Sequence, residues 1–251
     1  MPGRYLRAPE NQIMNSDAVF YFIHGYPDGP ETWDALSEKL GNPESLRFNL
    51  HHGPQPKNDS DLIAKHLELL KPALAAGKKI ILVAHDLGAV QAWMLLPYLG
   101  SQAKAMILFG GLSSSQFRKR ITNPLQARRS WYMALFVAPV LGTVAVRFGE
   151  KYFLNSIQKL GWQGKRTHLK DFYLYRLFLL HAKPTQKTTV PVLHISGKWD
   201  PFLLPITTAE MEDVALNFET EIRPGGHWLQ LEQPEWLAQR ILEFIQKIDR
   251  Q

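Results

Sequence analysis

Residues 80–93 decide the fold of this chain and read Ile-Ile-Leu-Val-Ala-His-Asp-Leu-Gly-Ala-Val-Gln-Ala-Trp. An apolar run breaks at Ala-His-Asp-Leu-Gly and continues with helical spacing, a pattern that predicts a strand, a tight turn and a helix. Asp86 stands at the tip of the turn, and the small residues Ala84 and Gly88 let the strand and the helix approach each other closely. The carboxylate could simply cap the helix, or the turn could hold it out over the sheet as a nucleophile.

Five more apolar runs have the length of buried strands, at residues 18–23, 46–50, 105–109, 192–196 and 218–222. Helical patterns alternate with them, at residues 32–40, after an N-cap at Asn58 or Ser60, and at residues 234–245. This alternation predicts an α/β fold, with a mostly parallel, doubly wound sheet that helices cover on both faces. Ligands of such sheets bind at the carboxyl ends of the strands.

The strand rhythm stops between residues 113 and 189, where aromatic and basic segments follow a helical spacing, notably at 131–140 and 169–180. We interpret this segment as a helical cap, or lid, inserted into a core formed by residues 1–112 and 190–251. It contains fourteen lysines and arginines but only two acidic residues, Glu150 and Asp171. The basic excess is most simply a solvated outer face, and the alternative is a surface that attracts anions or touches membranes.

The composition excludes several kinds of site. The 251 residues contain no cysteine, so no disulfide and no thiolate metal site can form. The sequence has no glycine-rich phosphate loop and no cluster of metal ligands, and we expect no metal, no other cofactor and no nucleic-acid partner. Residues 1–17 contain no apolar run of the secretory kind, and no stretch approaches the roughly 20 apolar residues of a membrane span. We therefore expect a soluble, cytoplasmic protein without stable membrane insertion, and the sequence leaves its oligomeric state open.

Two polar residues follow predicted strands farther along the chain. The run 192–196 leads into Gly-Lys-Trp-Asp-Pro, which puts Asp200 just past a carboxyl end. The run 218–222 leads into Pro-Gly-Gly-His-Trp, which does the same for His227. An acid at the tight turn, a second acid and a histidine, in this chain order, correspond to a nucleophile, an orienting acid and a base. We therefore predict that Asp86, Asp200 and His227 are catalytic.

These segments resemble the α/β-hydrolase-fold epoxide hydrolases, in the branch that also contains the haloalkane dehalogenases. The resemblance is carried by His-Gly-Tyr-Pro at 24–27, His-Asp-Leu-Gly-Ala at 85–89, Gly-Lys-Trp-Asp-Pro at 197–201 and Gly-Gly-His-Trp at 225–228. It implies an α/β-hydrolase fold in which the cap is inserted after the sixth core strand.

The resemblance also implies roles for particular side chains. Two cap tyrosines of the family point at the nucleophile, and Tyr132 and Tyr175 stand at the matching positions, although both could be packing residues of the cap. The backbone N–H groups of Tyr26 and Leu87 correspond to the family's oxyanion hole. We further expect three aromatic side chains to contact the substrate, namely Trp33, Trp131 and Phe136.

The chemistry of these residue types is consistent with that resemblance. An aspartate carboxylate, with a reference pKa of about 3.9, is ionised at neutral pH and attacks a saturated carbon without a base to deprotonate it. An epoxide offers such a carbon, and its leaving oxygen needs a proton donor, which a phenol provides. The ester on Asp86 is then hydrolysed by water that His227 activates. We therefore expect an epoxide hydrolase that takes a small, apolar epoxide and water and releases a vicinal diol.

Three alternatives remain open. Haloalkane dehalogenases use the same triad, but they have a tryptophan after the nucleophile and an asparagine after the His-Gly pair, where this chain has Leu87 and Tyr26. A haloacid dehalogenase of the fluoroacetate type requires arginines close behind the nucleophile, where Leu87 and Val90 stand. The third alternative is a non-catalytic binding protein on a hydrolase scaffold.

Two segments depart from the family's pattern. The residues before the first strand are too few for the antiparallel hairpin that usually opens this fold, so we expect a sheet that is short at one edge. Residues 110–115 read Gly-Gly-Leu-Ser-Ser-Ser where the family often has an Asn-x-Pro-His-Pro-like segment. The resemblance therefore does not define the cap hinge or the adjoining pocket wall.

Overall fold

The structure, a computed structural model, describes residues 17–50, 54–164, 168–180 and 184–250. Six strands form one sheet in which every neighbouring pair is parallel. They are β1 (Ala18–Ile23), β2 (Ser45–Arg47), β3 (Lys79–His85), β4 (Ala103–Phe109), β5 (Val192–Gly197) and β6 (Phe218–Arg223). Their order across the sheet is β2-β1-β3-β4-β5-β6, which confirms the predicted parallel α/β architecture.

Helices connect the strands and cover both faces of the sheet. In the core they are α1 (Asp34–Lys39), α2 (Asp59–Ala75), α3 (Leu87–Leu99), α9 (Thr208–Glu212), α10 (Leu229–Glu232) and α11 (Pro234–Asp249). Between β4 and β5 lie α4 (Ser114–Arg120), α5 (Pro124–Arg129), α6 (Trp131–Val137), α7 (Pro139–Lys159) and α8 (Tyr173–Leu180). Short 3-10 turns span Pro30–Trp33, Gly100–Gln102 and Leu169–Phe172. Asn58 caps α2 as predicted, because its side chain accepts a hydrogen bond of 2.9 Å from the backbone N–H of Asp61.

The helical insertion follows the fourth strand of the described residues. The predicted count of six strands before it depends on residues 1–16, which lie outside the described residues. The count of six included the antiparallel hairpin that usually opens the fold, whereas only Asp17 precedes β1 in the described part of the chain. In the described part of the chain, one edge strand of the sheet is β2, which has three residues.

Alternating side chains of the central strands supply one core on each face of the sheet. Tyr21 and Leu82 point into the core that α2 and α3 cover, whereas Phe22 and Val83 point into the core that α1 and α11 cover. All four side chains are fully buried. Full burial of one such large apolar side chain stabilises the fold by about 1.5 to 3 kcal/mol. The two cores thus fix the sheet, and with it the edge at which the strands end.

Polar contacts attach the helical segment, residues 114–180, to the loop that follows β5. Arg120 in α4 is buried and donates to Glu210 and to the carbonyl oxygens of Leu204 and Pro205. Arg129 in α5 donates to the carbonyl oxygen of Asp200 at 2.7 Å. In the described ranges no single helix is both long and apolar enough to cross a bilayer. Two consecutive helical stretches, Trp131–Val137 and Val140–Lys159, have the length and composition of a membrane span only when they are taken together, and a bend of 112° separates them.

Candidate active site

Asp86 occupies a strained turn between β3 and α3. Its φ of 50° lies in the left-handed region, which residues other than glycine rarely adopt. Gly88 makes this turn possible, because a Cβ there would lie 2.2 Å from the carbonyl oxygen of Ile23 in β1. The Asp86 side chain makes no capping hydrogen bond to any described residue of α3, so the simple capping role does not account for it.

The Gly-Gly-Leu segment after β4 packs directly beneath this turn. A Cβ on Gly111 would lie 2.5 Å from the carbonyl oxygen of Asp86, and one on Gly110, whose φ is 55°, would lie 3.1 Å from the His227 ring. Ser113 then caps α4 and shares a reciprocal capping box with Gln116. The segment that departs from the family's pattern therefore lets the backbone pass close to both Asp86 and His227.

The carboxylate of Asp86 has two neighbours. Its Oδ2 accepts a hydrogen bond of 2.9 Å from the backbone N–H of Tyr26, and its Oδ1 lies 3.8 Å from Nε2 of His227. Gly25 leaves room for this approach, because a Cβ there would lie 2.4 Å from the Cβ of Asp86. Leu87 is the first residue of α3, so its N–H belongs to the helical turn whose donors have no intrahelical acceptor. Both N–H groups predicted for the oxyanion hole thus flank the Asp86 turn, and the one from Tyr26 contacts the carboxylate.

His227 is joined to Asp200, although 27 positions separate them in the chain. The Nδ1–H of His227 donates to Oδ2 of Asp200 at 2.7 Å, and both side chains are buried. The other oxygen of Asp200 accepts from the backbone N–H groups of Phe202 and Leu203, at 2.7 and 2.9 Å. These bonds hold the carboxylate in place, and they fix the tautomer and orientation of the imidazole. The three residues that the sequence singled out therefore meet at one edge of the sheet.

The charges around His227 determine its protonation. Burial disfavours the charged imidazole, but the charge of Asp200, its hydrogen bond and the charge of Asp86 outweigh burial and raise the pKa of His227 to about 9. The buried Asp200 carboxyl would itself favour its neutral form, but His227 and the two N–H donors hold its pKa below its usual value. At neutral pH the imidazole of the free site is therefore protonated and paired with the Asp200 carboxylate.

Tyr132 and Tyr175 come from different helices, α6 and α8, and meet above this edge. Their ring centroids are 5.9 Å apart and their planes are nearly perpendicular. Burial raises the pKa of each phenol above its ordinary value. For Tyr132 the nearby charge of Asp86 adds to this effect, and for Tyr175 both Tyr132 and Asp86 add to it. Both phenols therefore remain protonated at neutral pH and retain an O–H donor beside the carboxylate.

These groups line a cavity of about 950 Å³. Asp86, Tyr132, Tyr175 and His227 lie along its wall, and most of the remaining wall is aliphatic or aromatic. Phe136 lines the cavity and is buried. Trp131 also lines it, although 70% of the residue surface is exposed. The cavity therefore suits an apolar ligand that presents its polar end to Asp86.

Trp33 lies elsewhere, and its predicted contact with substrate was wrong. It is fully buried in the core that α1 and α11 cover, between the rings of Phe22 and Phe109. The helical spacing in the sequence indicated that Trp33 points inward. In the structure its side chain packs into the core on one face of the sheet and does not line the cavity.

A buried polar network behind His227 was not predicted. His85, the residue before Asp86, contacts the carbonyl oxygen of His227 through Nε2 at 3.0 Å. Its Nδ1 lies 3.3 Å from the amide nitrogen of Gln230 and 3.6 Å from Oδ2 of Asp28. Trp162 in turn donates to Oδ1 of Asp28 at 2.7 Å. His85 stands inside the quoted motif and could have been singled out there, but its partners come from two distant segments, one around Asp28 and one at residues 227–230. In the described ranges, no group of three His, Asp or Glu side chains is arranged to hold a metal ion.

Comparisons with curated proteins place the chain among hydrolases. It is 22% identical to Epoxide hydrolase 1 of Caenorhabditis elegans, in an alignment that covers 91% of this chain and 65% of that protein. It is 25% identical to Epoxide hydrolase 3 of Mus musculus, with coverage of 92% and 71%. The chain therefore spans less than two thirds of the worm relative and somewhat more of the mouse relative.

Solved structures share the fold. A Bacillus megaterium epoxide hydrolase in complex with an inhibitor superposes with a TM-score of 0.76 at 19% identity, covering 93% of this chain and 94% of that one. A Salmonella enterica protein described as a putative acyltransferase reaches 0.73 at 15% identity, with coverage of 94% and 89%. Similarity at this level of identity indicates a common fold and leaves the reaction open. The profile of the Alpha/beta hydrolase family matches residues 20–240, and the chain belongs to that family.

Proposed function

We propose that this protein is an epoxide hydrolase that opens an epoxide to a vicinal diol through a covalent ester on Asp86. The observation that carries the proposal is the pair of phenols, Tyr132 and Tyr175, that line the same cavity as the Asp86 carboxylate. Two neutral O–H donors beside a carboxylate suit a substrate whose leaving oxygen stays attached to the product. The curated relatives named epoxide hydrolases support the same reaction.

In the first step, an oxygen of Asp86 attacks one ring carbon, and the bond between that carbon and the epoxide oxygen breaks. The negative charge moves from the carboxylate to the epoxide oxygen, which takes a proton from a tyrosine O–H. Because charge builds on this oxygen only as the bond breaks, the phenols stabilise the transition state more than the bound substrate. The apolar wall excludes competing water from the reacting carbon.

In the second step, water hydrolyses the ester. Esterification removes the negative charge that lies 3.8 Å from Nε2 of His227, so the pKa of His227 falls and the imidazole can lose its proton and act as a base. Water attacks the ester carbonyl carbon while His227 takes its proton, and Asp200 stabilises the imidazolium. The N–H groups of Tyr26 and Leu87 stabilise the oxyanion. Collapse of this intermediate breaks its bond to the alkyl oxygen and releases the diol, which takes its proton from His227. The remaining proton of the attacking water passes from the new carboxyl group of Asp86 to the tyrosinate, and His227 regains from solvent the proton that it lost on esterification. The carboxylate, the phenol and the imidazolium are thereby restored.

The division into domains follows from the same proposal. Residues 1–112 and 190–251 form the core that carries Asp86, Asp200 and His227. Residues 113–189 form the cap, which contributes Tyr132, Tyr175 and most of the apolar wall. In this arrangement the core carries out the nucleophilic chemistry and the cap selects the substrate. Small apolar epoxides and water are the proposed reactants.

Trapping the ester tests the first step. The His227→Gln variant should be alkylated but not turn over, so intact-protein mass spectrometry should detect the protein plus one substrate mass, on the peptide that contains Asp86. The Asp86→Asn variant is the matched control and should acquire no mass. An adduct elsewhere, or none with any aryl, aliphatic or fatty epoxide, would refute the nucleophile. Halide release from small haloalkanes, measured in parallel, would favour dehalogenation instead.

Single-turnover kinetics test the phenols. Replacing either Tyr132 or Tyr175 by Phe retains the ring and deletes one donor, which should slow ester formation by about 10² to 10³. Decay of an ester already formed should change much less, because that step depends on His227. Tyr98→Phe, on the exposed side of α3, is the control for loss of a phenol. If the double variant Tyr132→Phe, Tyr175→Phe forms the ester at the wild-type rate, the two tyrosines are only packing residues of the cap.

A further inference from the structure

Helix α7 presents an apolar face to solvent. Its large exposed residues recur every four positions and therefore lie on one side of the helix, at Val140, Val144, Phe148 and Tyr152, with Leu141 beside them. The exposed fraction of the residue is 74% for Val140, 79% for Phe148 and 81% for Tyr152. A contiguous apolar face of this kind on a protein surface commonly marks an interaction site. We call it the α7 face.

The α7 face is continuous with the mouth of the cavity. Val144, Phe148 and Tyr152 are exposed and also line the cavity wall. Leu125 in α5 and Trp131 in α6 do the same on neighbouring helices. The rim of the cavity is therefore itself apolar and solvent-facing, so whatever covers the α7 face also meets the cavity opening.

Basic side chains accompany the apolar ones. Lys151 and Lys159 fall on the same side of α7 by helical spacing, and Arg147 flanks it, with its guanidinium 5.7 Å from the centroid of the Phe148 ring. The single acidic residue of α7, Glu150, falls away from this side. Exposed aromatic and aliphatic groups with lysine and arginine beside them are the features of a helix that lies in the interface of an anionic membrane.

We propose that the protein docks reversibly on an anionic bilayer surface through the α7 face, so that the cavity mouth opens toward the lipid. Charge complementarity favours this occupant over a second copy of the chain, because two strongly basic segments would repel each other across a symmetric interface. The apolar side chains enter the boundary between headgroups and acyl chains, and the basic ones pair with lipid phosphates. Direct entry of an apolar epoxide from the bilayer is a consequence that rests on the proposed function, whereas docking itself does not.

Vesicle flotation of the full chain tests the docking. The protein should bind phosphatidylcholine vesicles that contain about one third phosphatidylglycerol, bind pure phosphatidylcholine weakly, and dissociate as salt is raised. Val140→Asp should weaken binding about tenfold or more, and Lys151→Glu about fivefold or more. Neither residue lines the cavity, so turnover of a water-soluble epoxide should stay unchanged and should verify the fold.

Two matched variants serve as controls. Tyr98→Asp and Lys71→Glu change an exposed aromatic and an exposed lysine of α3 and α2 that do not line the cavity, and both should bind like the wild type. Absence of binding to anionic vesicles, or equal binding by Val140→Asp, would overturn the proposal. So would a wild-type dimer in sedimentation that Val140→Asp dissociates, because the occupant would then be a second copy.

A third arm separates docking from catalysis. Vesicles that contain a long-chain epoxide should yield diol, and Val140→Asp should slow this reaction while sparing the water-soluble epoxide. Vesicle binding with the expected variant effects but without diol from any epoxide would uphold docking and refute the proposed function.

Discussion

The electrostatic coupling between Asp86 and His227 yields a prediction that can be worked from the structure. Asp86→Asn removes one negative charge but keeps the shape of the side chain, and so imitates the neutral ester of the proposed reaction. In the wild type, Oδ1 of Asp86 lies 3.8 Å from Nε2 of His227, and only 13% of the Asp86 side chain is exposed. The charge therefore acts on the imidazolium with little screening by solvent.

Coulomb's law sets the size of the effect. Two unit charges at this distance attract by about 1 kcal/mol at the dielectric constant of water and by about 4 kcal/mol at an effective value near 20. At about 1.4 kcal/mol for each pH unit, the pKa of His227 should fall by roughly 1 to 3. From its value of about 9 it should reach between about 6 and 8. Asp200 still contacts Nδ1, which keeps the pKa from falling further.

Histidine-selective NMR provides the assay. The chain has nine histidines, and the His227→Gln variant identifies the resonance to follow. Asp213→Asn, which removes an exposed carboxylate paired with Lys119, is the control and should leave the titration of His227 unchanged. If His227 titrates near pH 9 in Asp86→Asn as in the wild type, the charge of Asp86 does not hold the proton. Neutralisation of Asp86 could then not convert His227 into a base.

Three further predictions concern stability and the cavity. Trp33→Phe should lower the free energy of unfolding by about 1 to 3 kcal/mol in urea titrations and leave KM unchanged, because Trp33 packs in the core and does not line the cavity. Burial would raise the pKa of Glu210, but hydrogen bonds from Arg120 and neighbouring donors outweigh it and lower this pKa to about 2. The contribution of the Glu210 carboxylate to the free energy of unfolding is therefore fully present above its ordinary pKa near 4.5 and is lost as the pH falls toward 2. Glu210→Gln should therefore be less stable than the wild type at pH 7 by only about 1 kcal/mol, because solvent screens this partly exposed ion pair, and the difference should vanish in acid unfolding curves. Gly88→Ala should cost about 3 kcal/mol or more by thermal denaturation, since its Cβ would meet the carbonyl of Ile23 at 2.2 Å.

Local patterns in the sequence predicted much of the fold. The run Ile80–Ala84 became β3 with one residue more at each end, and the sharp break after it became the turn at Asp86. Asp200 and His227 could be assigned to the same edge because parallel strands end on one side of a sheet. That reasoning needs only the order of strands and loops, which the sequence contains. The catalytic roles of these residues stay predictions.

Features that depend on packing between distant segments were not predicted. The pattern at 131–140 was interpreted as one helix, yet α6 ends at Val137 and a new helix starts at Pro139, a residue suited to a first helical turn. Pro139 was a local indication of that break, but no local pattern indicated that α7 extends to Lys159. The contact between Asp28 and His85 likewise depends on how the loop after β1 meets the end of β3, which spacing along the chain does not specify.

The adjacency of β4 and β5 makes the helical segment a modular unit. Met106 in β4 pairs with Val192 in β5, so the insertion leaves the sheet and returns to the neighbouring strand. Because the entropy of closing a loop grows only with the logarithm of its length, doubling such an insertion costs the sheet about 0.6 kcal/mol. Exchange of the whole segment between relatives would therefore leave the strand pairing almost unaffected. Under the two proposals above, recombination of one continuous piece of the gene would change substrate choice and membrane docking together, while Asp86 and His227 are inherited unchanged on either side.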